Sequence, residues 1–201
     1  KKFSLTQIDR AKLKNQKPMC LWLTGLSGSG KTTLANALEK ELYKMKKHAY
    51  ILDGDNLRHG LNSDLNFSKK NRNENVRRVA EVAKLIVDSG LIVIVAIISP
   101  YRRGRDWVRS IFNPNEFKEI YISTSINVCE KRDVKGLYKK ARKGTIKDFT
   151  GISSPYEEPI HPELTIVSQF IFQVILIMFV YARNKFSKSC TFIYRIRYKK
   201  V

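Results

Sequence analysis

The stretch Gly25-Leu26-Ser27-Gly28-Ser29-Gly30-Lys31-Thr32 constrains this chain more than any other. It meets the pattern G-x-x-x-x-G-K-[ST] at every required position. Residues 20–24 before it form a short apolar run that predicts a buried strand, and residues 33–47 behind it predict a helix. Strand, glycine loop and helix in that order close backbone N–H groups around phosphate oxygens, with the positive end of the helix dipole behind them. In this pattern Lys31 reaches the outer phosphates and the Thr32 hydroxyl ligates magnesium. The candidate nucleotide-binding residues are Gly25, Leu26, Ser27, Gly28, Ser29, Gly30, Lys31, Thr32 and Thr33.

A chain of 201 residues is long enough for one α/β domain with a full core. Cys20, Cys129 and Cys190 are scattered and odd in number, which points to reduced cytosolic thiols rather than a disulfide framework. No secretory signal is evident, and the first residue is Lys1 rather than Met, as in a piece of a longer polypeptide. The net charge of +20 suggests a nucleic-acid partner, but its distribution argues otherwise. Residues 1–17 hold +5 and residues 183–201 hold +7, leaving +8 for the rest.

In chain order, residues 1–17 read as a basic arm or short helix, and Lys17-Pro18 marks the start of the domain. Leu34, Ala37, Leu38, Leu42 and Met45 keep helical spacing. Residues 49–52 predict a second strand that runs into Asp53-Gly54-Asp55. Two carboxylates at a strand end beside a phosphate loop sit where ligands bind in open α/β sheets, although Asp-Gly is also a common turn pair. Residues 56–67 read as mostly irregular. Ser68 then caps a helix whose apolar face is Val76, Val79, Ala80, Ala83 and Val87, with Gly90 as its stop. Arg72, Asn75, Arg77 and Arg78 lie near its start, and for Arg77 and Arg78 an exposed basic face is the competing reading.

Residues 91–98 form a continuous apolar, β-branched run, as expected of a parallel strand buried on both faces. It ends Ile97-Ile98-Ser99-Pro100, without the acidic residue that common ATPases and GTPases place there. Metal duty would therefore fall to Thr32 and to Asp53 or Asp55. Residues 101–112 predict a helix, 117–123 a strand and 127–132 a short helix. Residues 133–162 are basic, glycine-punctuated and aromatic, which suits a mobile lid over anionic substrates. Residues 164–167 predict a last strand. Residues 170–182 are almost wholly apolar, shorter than the roughly 20 residues that span a bilayer. The end of the chain is basic.

These stretches together resemble the adenylylsulfate kinases over about residues 5–166. The likeness lies in Trp22-Leu23-Thr24-Gly25 through Thr33, Asp53-Gly54-Asp55-Asn56-Leu57-Arg58, Gly60-Leu61-Asn62, Asn66-Phe67-Ser68, Arg72-Asn73-Glu74-Asn75-Val76-Arg77-Arg78, Ile98-Ser99-Pro100-Tyr101-Arg102, Cys129-Glu130-Lys131-Arg132-Asp133, the Lys135–Arg142 segment and Phe149-Thr150-Gly151-Ile152. The resemblance implies a three-layer α/β P-loop NTPase fold with a mostly parallel five-stranded sheet, spanning residues 18–167. It implies transfer of the γ-phosphoryl of ATP to the 3′-hydroxyl of adenylylsulfate, giving 3′-phosphoadenylylsulfate in sulfate assimilation.

By the same likeness Lys31, Asp53 and Ser99 are the catalytic positions, and Thr32 with Asp53 organises magnesium. Asp55, Arg58, Phe67, Arg72, Asn75, Ile98, Ser99, Lys135 and Phe149 would line the adenylylsulfate site, with Phe67 and Phe149 able to stack on adenine. Ser99 matches a serine described in the family as a phosphoserine. No histidine or other evident base lies beside it in sequence, so binding or positioning is the more economical role. The resemblance further implies a cytoplasmic homodimer and a sulfate adenylyltransferase, fused or separate, as a partner.

Asn71, Ile97 and Ser153 stand where the family usually has Asp, Phe and Asp. After Val167 the chain departs altogether, so a catalytically impaired or membrane-attached relative is the alternative. A different small-molecule kinase and a nucleic-acid-binding NTPase are the other readings, the second disfavoured by the terminal placement of the charge.

Overall fold

The computed structural model describes residues 3–167. The apolar run at 170–182 and the rest of the 168–201 tail lie outside the described residues.

The centre of the molecule is β1 (Met19–Thr24), buried along its whole length. It is the middle strand of an all-parallel five-stranded sheet in the order β2-β3-β1-β4-β5, with β2 (Ala49–Asp53), β3 (Ile92–Ala96), β4 (Phe117–Ile122) and β5 (Leu164–Ile166). β1 pairs Leu21 with Ile94 of β3 on one side and Trp22 with Glu119 of β4 on the other. Strands of this kind are apolar on both faces because helices cover both, and the two core layers divide accordingly. Leu34, Ala35, Leu38 and Leu42 of α2 (Lys31–Lys44) close one face over Leu21, Leu23, Ile94 and Ile120. Val76, Val79, Ala80, Ala83 and Val87 of α4 (Lys69–Asp88) close the other over Trp22, Val93 and Val95, joined by Val108 of α5 (Arg102–Ser110). Ser68 caps α4 by accepting the Asn71 N–H at 3.3 Å.

The remaining helices are short. In α1 (Gln7–Leu13), Thr6 and Asp9 form a reciprocal cap, and Arg10 and Lys14 tie the helix to Asp88 and the Ser89 carbonyl. The 56–67 segment is not wholly irregular: α3 (Gly54–His59) begins directly after β2, because the Asp53 carboxylate accepts the Asp55 N–H at 3.0 Å and caps a helix there. α6 (Ile126–Arg132) starts one residue earlier than its apolar pattern predicts. α7 (Leu137–Arg142) lies inside the 133–162 segment. α2 starts at Lys31 and stops at Lys44, with the chain turning through Lys46 at φ +56. β3 is shorter than its apolar run, since Ile97 and Ile98 leave the ladder.

All five strands run the same way, so their C-terminal ends converge on one edge. There the Gly25–Thr32 loop, Asp53 and the 97–100 turn stand side by side.

Candidate active site

Three glycines of the loop adopt left-handed or related backbone, at φ +148 (Gly25), +71 (Gly28) and +104 (Gly30). At Gly25 a Cβ would stand 2.7 Å from the Ile122 carbonyl oxygen, so the tight exit from β1 admits only glycine. No side chain caps α2, which leaves its first-turn N–H groups facing the loop. The Lys31 ammonium lies within the loop, donating to the carbonyls of Gly25 (3.0 Å) and Leu26 (2.7 Å). Burial lowers its pKa to about 8, against the opposing pull of Cys129, Asp53 and Asp55. The Thr32 hydroxyl donates to Asp53 Oδ2 at 2.7 Å, while Asp53 Oδ1 holds the Asp55 N–H.

This loop forms one wall of a cleft of about 660 Å³. Its floor is the 96–100 turn. The facing wall is built by α3 and the start of α4. The Arg58 guanidinium lies 4.4 Å from the centre of the half-exposed Phe67 ring, and that of Arg72 lies 5.8 Å from it. Burial pulls both arginines below their ordinary pKa, though a guanidinium remains cationic. Arg72 donates to the Phe67 carbonyl at 2.8 Å and to the Thr150 hydroxyl and Asp148 carbonyl across the cleft. Asn75 is oriented by buried Asn62, whose amide donates to its side-chain oxygen at 3.0 Å.

The roof comes from the 133–162 segment. Lys135 is ion-paired to Asp55. Tyr138 donates its hydroxyl to the Ser27 carbonyl at 2.9 Å and meets buried Phe149 edge-on at 5.0 Å. Ser153 accepts the Phe149 N–H at 2.9 Å through its hydroxyl.

Ser99 is buried, at φ +41. Its hydroxyl accepts the Trp22 indole N–H at 3.0 Å and donates to Thr24 Oγ1 at 3.0 Å.

The cleft thus brings together Ser27–Thr33, Asp53, Asp55, Arg58, Phe67, Arg72, Asn75, Ile98, Ser99, Lys135 and Phe149. Gly25 and Leu26 shape the loop from behind, through carbonyls that hold Lys31. Arg77 and Arg78 face away from the cleft: both pair with Glu74, and Arg78 also binds Asp64 and the Leu61 carbonyl. Sequence reasoning gave no role to Thr24, Asn62, Arg105 or Tyr156, whose side-chain partners stand from 6 to 132 positions away along the chain. Among the described residues no group of three or more His, Cys, Asp or Glu side chains forms a metal cluster, and no helix is long and apolar enough to cross a membrane.

Residues 17–167 match the family model described as adenylylsulphate kinase. The chain is 58% identical over 165 residues to an adenylyl-sulfate kinase of Oceanobacillus iheyensis, covering 82% of this chain and 83% of that one. It is 60% identical over 163 residues to an adenylyl-sulfate kinase of a Shewanella species, strain MR-7, covering 81% and 80%. In three dimensions it is similar to the Mycobacterium tuberculosis APS kinase CysC solved with AMPPNP and APS, with a TM-score of 0.79, 42% identity, and coverage of 84% of this chain and 99% of that one.

Proposed function

The chain belongs to the adenylylsulphate kinase family, and from that premise we propose that it transfers the γ-phosphoryl of ATP to the 3′-hydroxyl of adenylylsulfate. The observation that carries this reading is the convergence of two anion-binding walls on one cleft. The loop wall takes ATP. Its phosphates displace the Gly25 and Leu26 carbonyls from Lys31, and the free N–H groups of α2 face them. The α3–α4 wall takes adenylylsulfate: Arg58 and Arg72 offset the phosphosulfate charge, the exposed face of Phe67 stacks on adenine, and Asn75 adds a polar contact.

The Thr32 hydroxyl and Asp53 carboxylate fit magnesium, an ion held through one or two carboxylates plus substrate phosphates. When bound, magnesium supplies charge neutralisation at the phosphate oxygens. Asp53 itself is fixed by two hydrogen bonds and orients the acceptor hydroxyl or takes its proton. The 133–162 segment closes over both substrates and excludes water. Catalysis here is positioning and charge stabilisation, with no covalent relay through Ser99.

The test is a coupled assay with ATP, magnesium and adenylylsulfate. Turnover that Lys31→Ala lowers by at least about a hundredfold supports the reading, consistent with the loss of one preorganised charge contact at a transferring phosphoryl group. Turnover of another hydroxyl acceptor in preference to adenylylsulfate would overturn it.

A further inference from the structure

Tyr156 lies near the far end of the lid, 132 positions beyond Thr24, yet its hydroxyl is 2.9 Å from Thr24 Oγ1. Thr24 is the last residue of β1, fully buried, immediately before the glycine loop. The direction of each bond follows from counting protons. The Thr24 hydroxyl has one proton, and its shortest contact is the Ile98 carbonyl at 2.7 Å, which can only accept. Ser99 and Tyr156 must therefore both donate to Thr24, filling its two lone pairs. Tyr156 is the outermost donor of a chain that ends on the backbone of the 97–100 turn. Burial raises the Tyr156 pKa, so the phenol keeps the proton this arrangement needs.

A second set of bonds joins the same two segments. Arg105, almost fully buried, donates to Glu119 (2.7 Å), to the Ser99 carbonyl (2.7 Å) and to the Glu157 carbonyl (2.6 Å). The Glu157 N–H donates to the Pro100 carbonyl at 2.8 Å, and the Arg102 N–H to the Glu157 carboxylate at 2.8 Å. The Tyr156 ring is stacked on Tyr121 of β4, 5.9 Å between centres and 19° apart, and the Arg105 guanidinium lies 5.7 Å from it. Packing thus holds the ring, and the hydroxyl is left to serve Thr24.

We infer that Tyr156 is a positioning residue for acceptor binding: through Thr24 it fixes the Ile98-Ser99-Pro100 turn and couples the lid's exit to the floor of the cleft. This rests on the proposed acceptor site, because that turn is where adenylylsulfate would lie. Tyr156 touches neither substrate in this scheme. Its removal is felt through the turn, on the acceptor side, while the Lys31 and Thr32 side stays in place.

The experiment is steady-state kinetics on the full chain and on Tyr156→Phe, Thr24→Val and the double variant, each checked by thermal melting. Tyr156→Phe keeps the ring and the stack and loses only the hydroxyl. The expected result is a KM for adenylylsulfate raised about fivefold, from the loss of one neutral hydrogen bond, with the KM for ATP changed less than about twofold. Thr24→Val should show the same split, and adding Tyr156→Phe to it should change nothing further, since the shared acceptor is already gone. Amide hydrogen exchange gives a readout independent of turnover: in Tyr156→Phe the Glu157 and Arg102 amides should lose protection while those of β1 keep theirs. Equal rises in both KM values, an unchanged KM for adenylylsulfate, additive variants, or unaltered exchange at Glu157 would each overturn the inference. A wild-type chain without adenylylsulfate turnover would instead remove the function on which it rests.

Discussion

Lys31 is a cation held where water barely reaches it, and its pKa of about 8 records the cost. The sign follows from burial. The folded value is below that of a free lysine, so the fold penalises the charged form. That penalty is fully present below pH 8 and relaxes as pH rises from 8 toward 10.5. A polyphosphate beside the ammonium reverses the balance and restores the proton. Nucleotide binding at pH 8 should therefore take up about half a proton per site, against nearly none at pH 6.5 from this group. Calorimetric titration in two buffers of different ionisation enthalpy measures the uptake, and none at pH 8 would remove Lys31 from phosphate contact. Ser99 leads to a second expectation. Its proton is committed to Thr24 and no base adjoins it, so Ser99→Ala should keep measurable turnover, lowered by about tenfold through loss of the turn's order. Complete loss of turnover with both substrates still bound would restore a covalent role.

At the scale of elements, two glycines that look alike in sequence have opposite needs. Gly90 ends α4 at φ +85, and a Cβ there would stand 2.9 Å from the backbone of Arg10 and Ala11. Gly90→Ala should cost about 2 kcal/mol, combining positive-φ strain with displacement of α1. Gly104 lies inside α5, where a Cβ meets only Val76 Cγ1 at 3.8 Å, so Gly104→Ala should stabilise by about 0.5 kcal/mol. Thermal melting of both variants checks the pair, and a stabilising Gly90→Ala would contradict the docking of α1. The same contrast shows which parts of the fold were legible beforehand. β1 and β3 announced themselves because burial on both faces demands unbroken apolar runs, and α4 because 20 residues hold a complete amphipathic pattern. α3 did not, since its six residues depend on one carboxylate cap at Asp53, and Asp-Gly reads equally well as a turn. In the site, Lys31 and Thr32 followed from local spacing, which offered Asp53 and Asp55 alike, and the resemblance to the family singled out Asp53. Thr24, Asn62, Arg105 and Tyr156 act through partners that the topology brings near, and no local spacing assigns them a role.

Across the whole molecule, stability is unevenly shared. The sheet is closed on both faces by apolar layers, whereas the 133–150 part of the lid rests on a small apolar cluster of Tyr138, Ala141 and Phe149 with Cys129, and polar ties fasten it over the cleft: Lys135 to Asp55, Tyr138 to the Ser27 carbonyl, and Arg72 to Asp148 and Thr150. The ion pair of Lys135 and Asp55 is more than half exposed and contributes little. Arg72 is the strong member, because one buried guanidinium holds two points of the lid at once. Between α7 and Phe149, Lys143 and Lys147 are exposed and offer trypsin two sites. Cleavage there requires the segment to open locally, and its rate tracks the open population when closing is fast. Arg72→Lys keeps the charge but cannot fork to two acceptors, so opening should become easier by about tenfold or more. The expected result is faster cutting after Lys143 and Lys147 at an unchanged melting temperature, because the apolar layers set the melting of the sheet. Saturating ADP and adenylylsulfate should slow the cuts in the wild-type chain and slow them less in Arg72→Lys. If Arg72→Lys instead lowered the melting temperature and exposed sites in α2 and α4 equally, the lid and the sheet would unfold as one unit. The cleft would then have no separately movable roof.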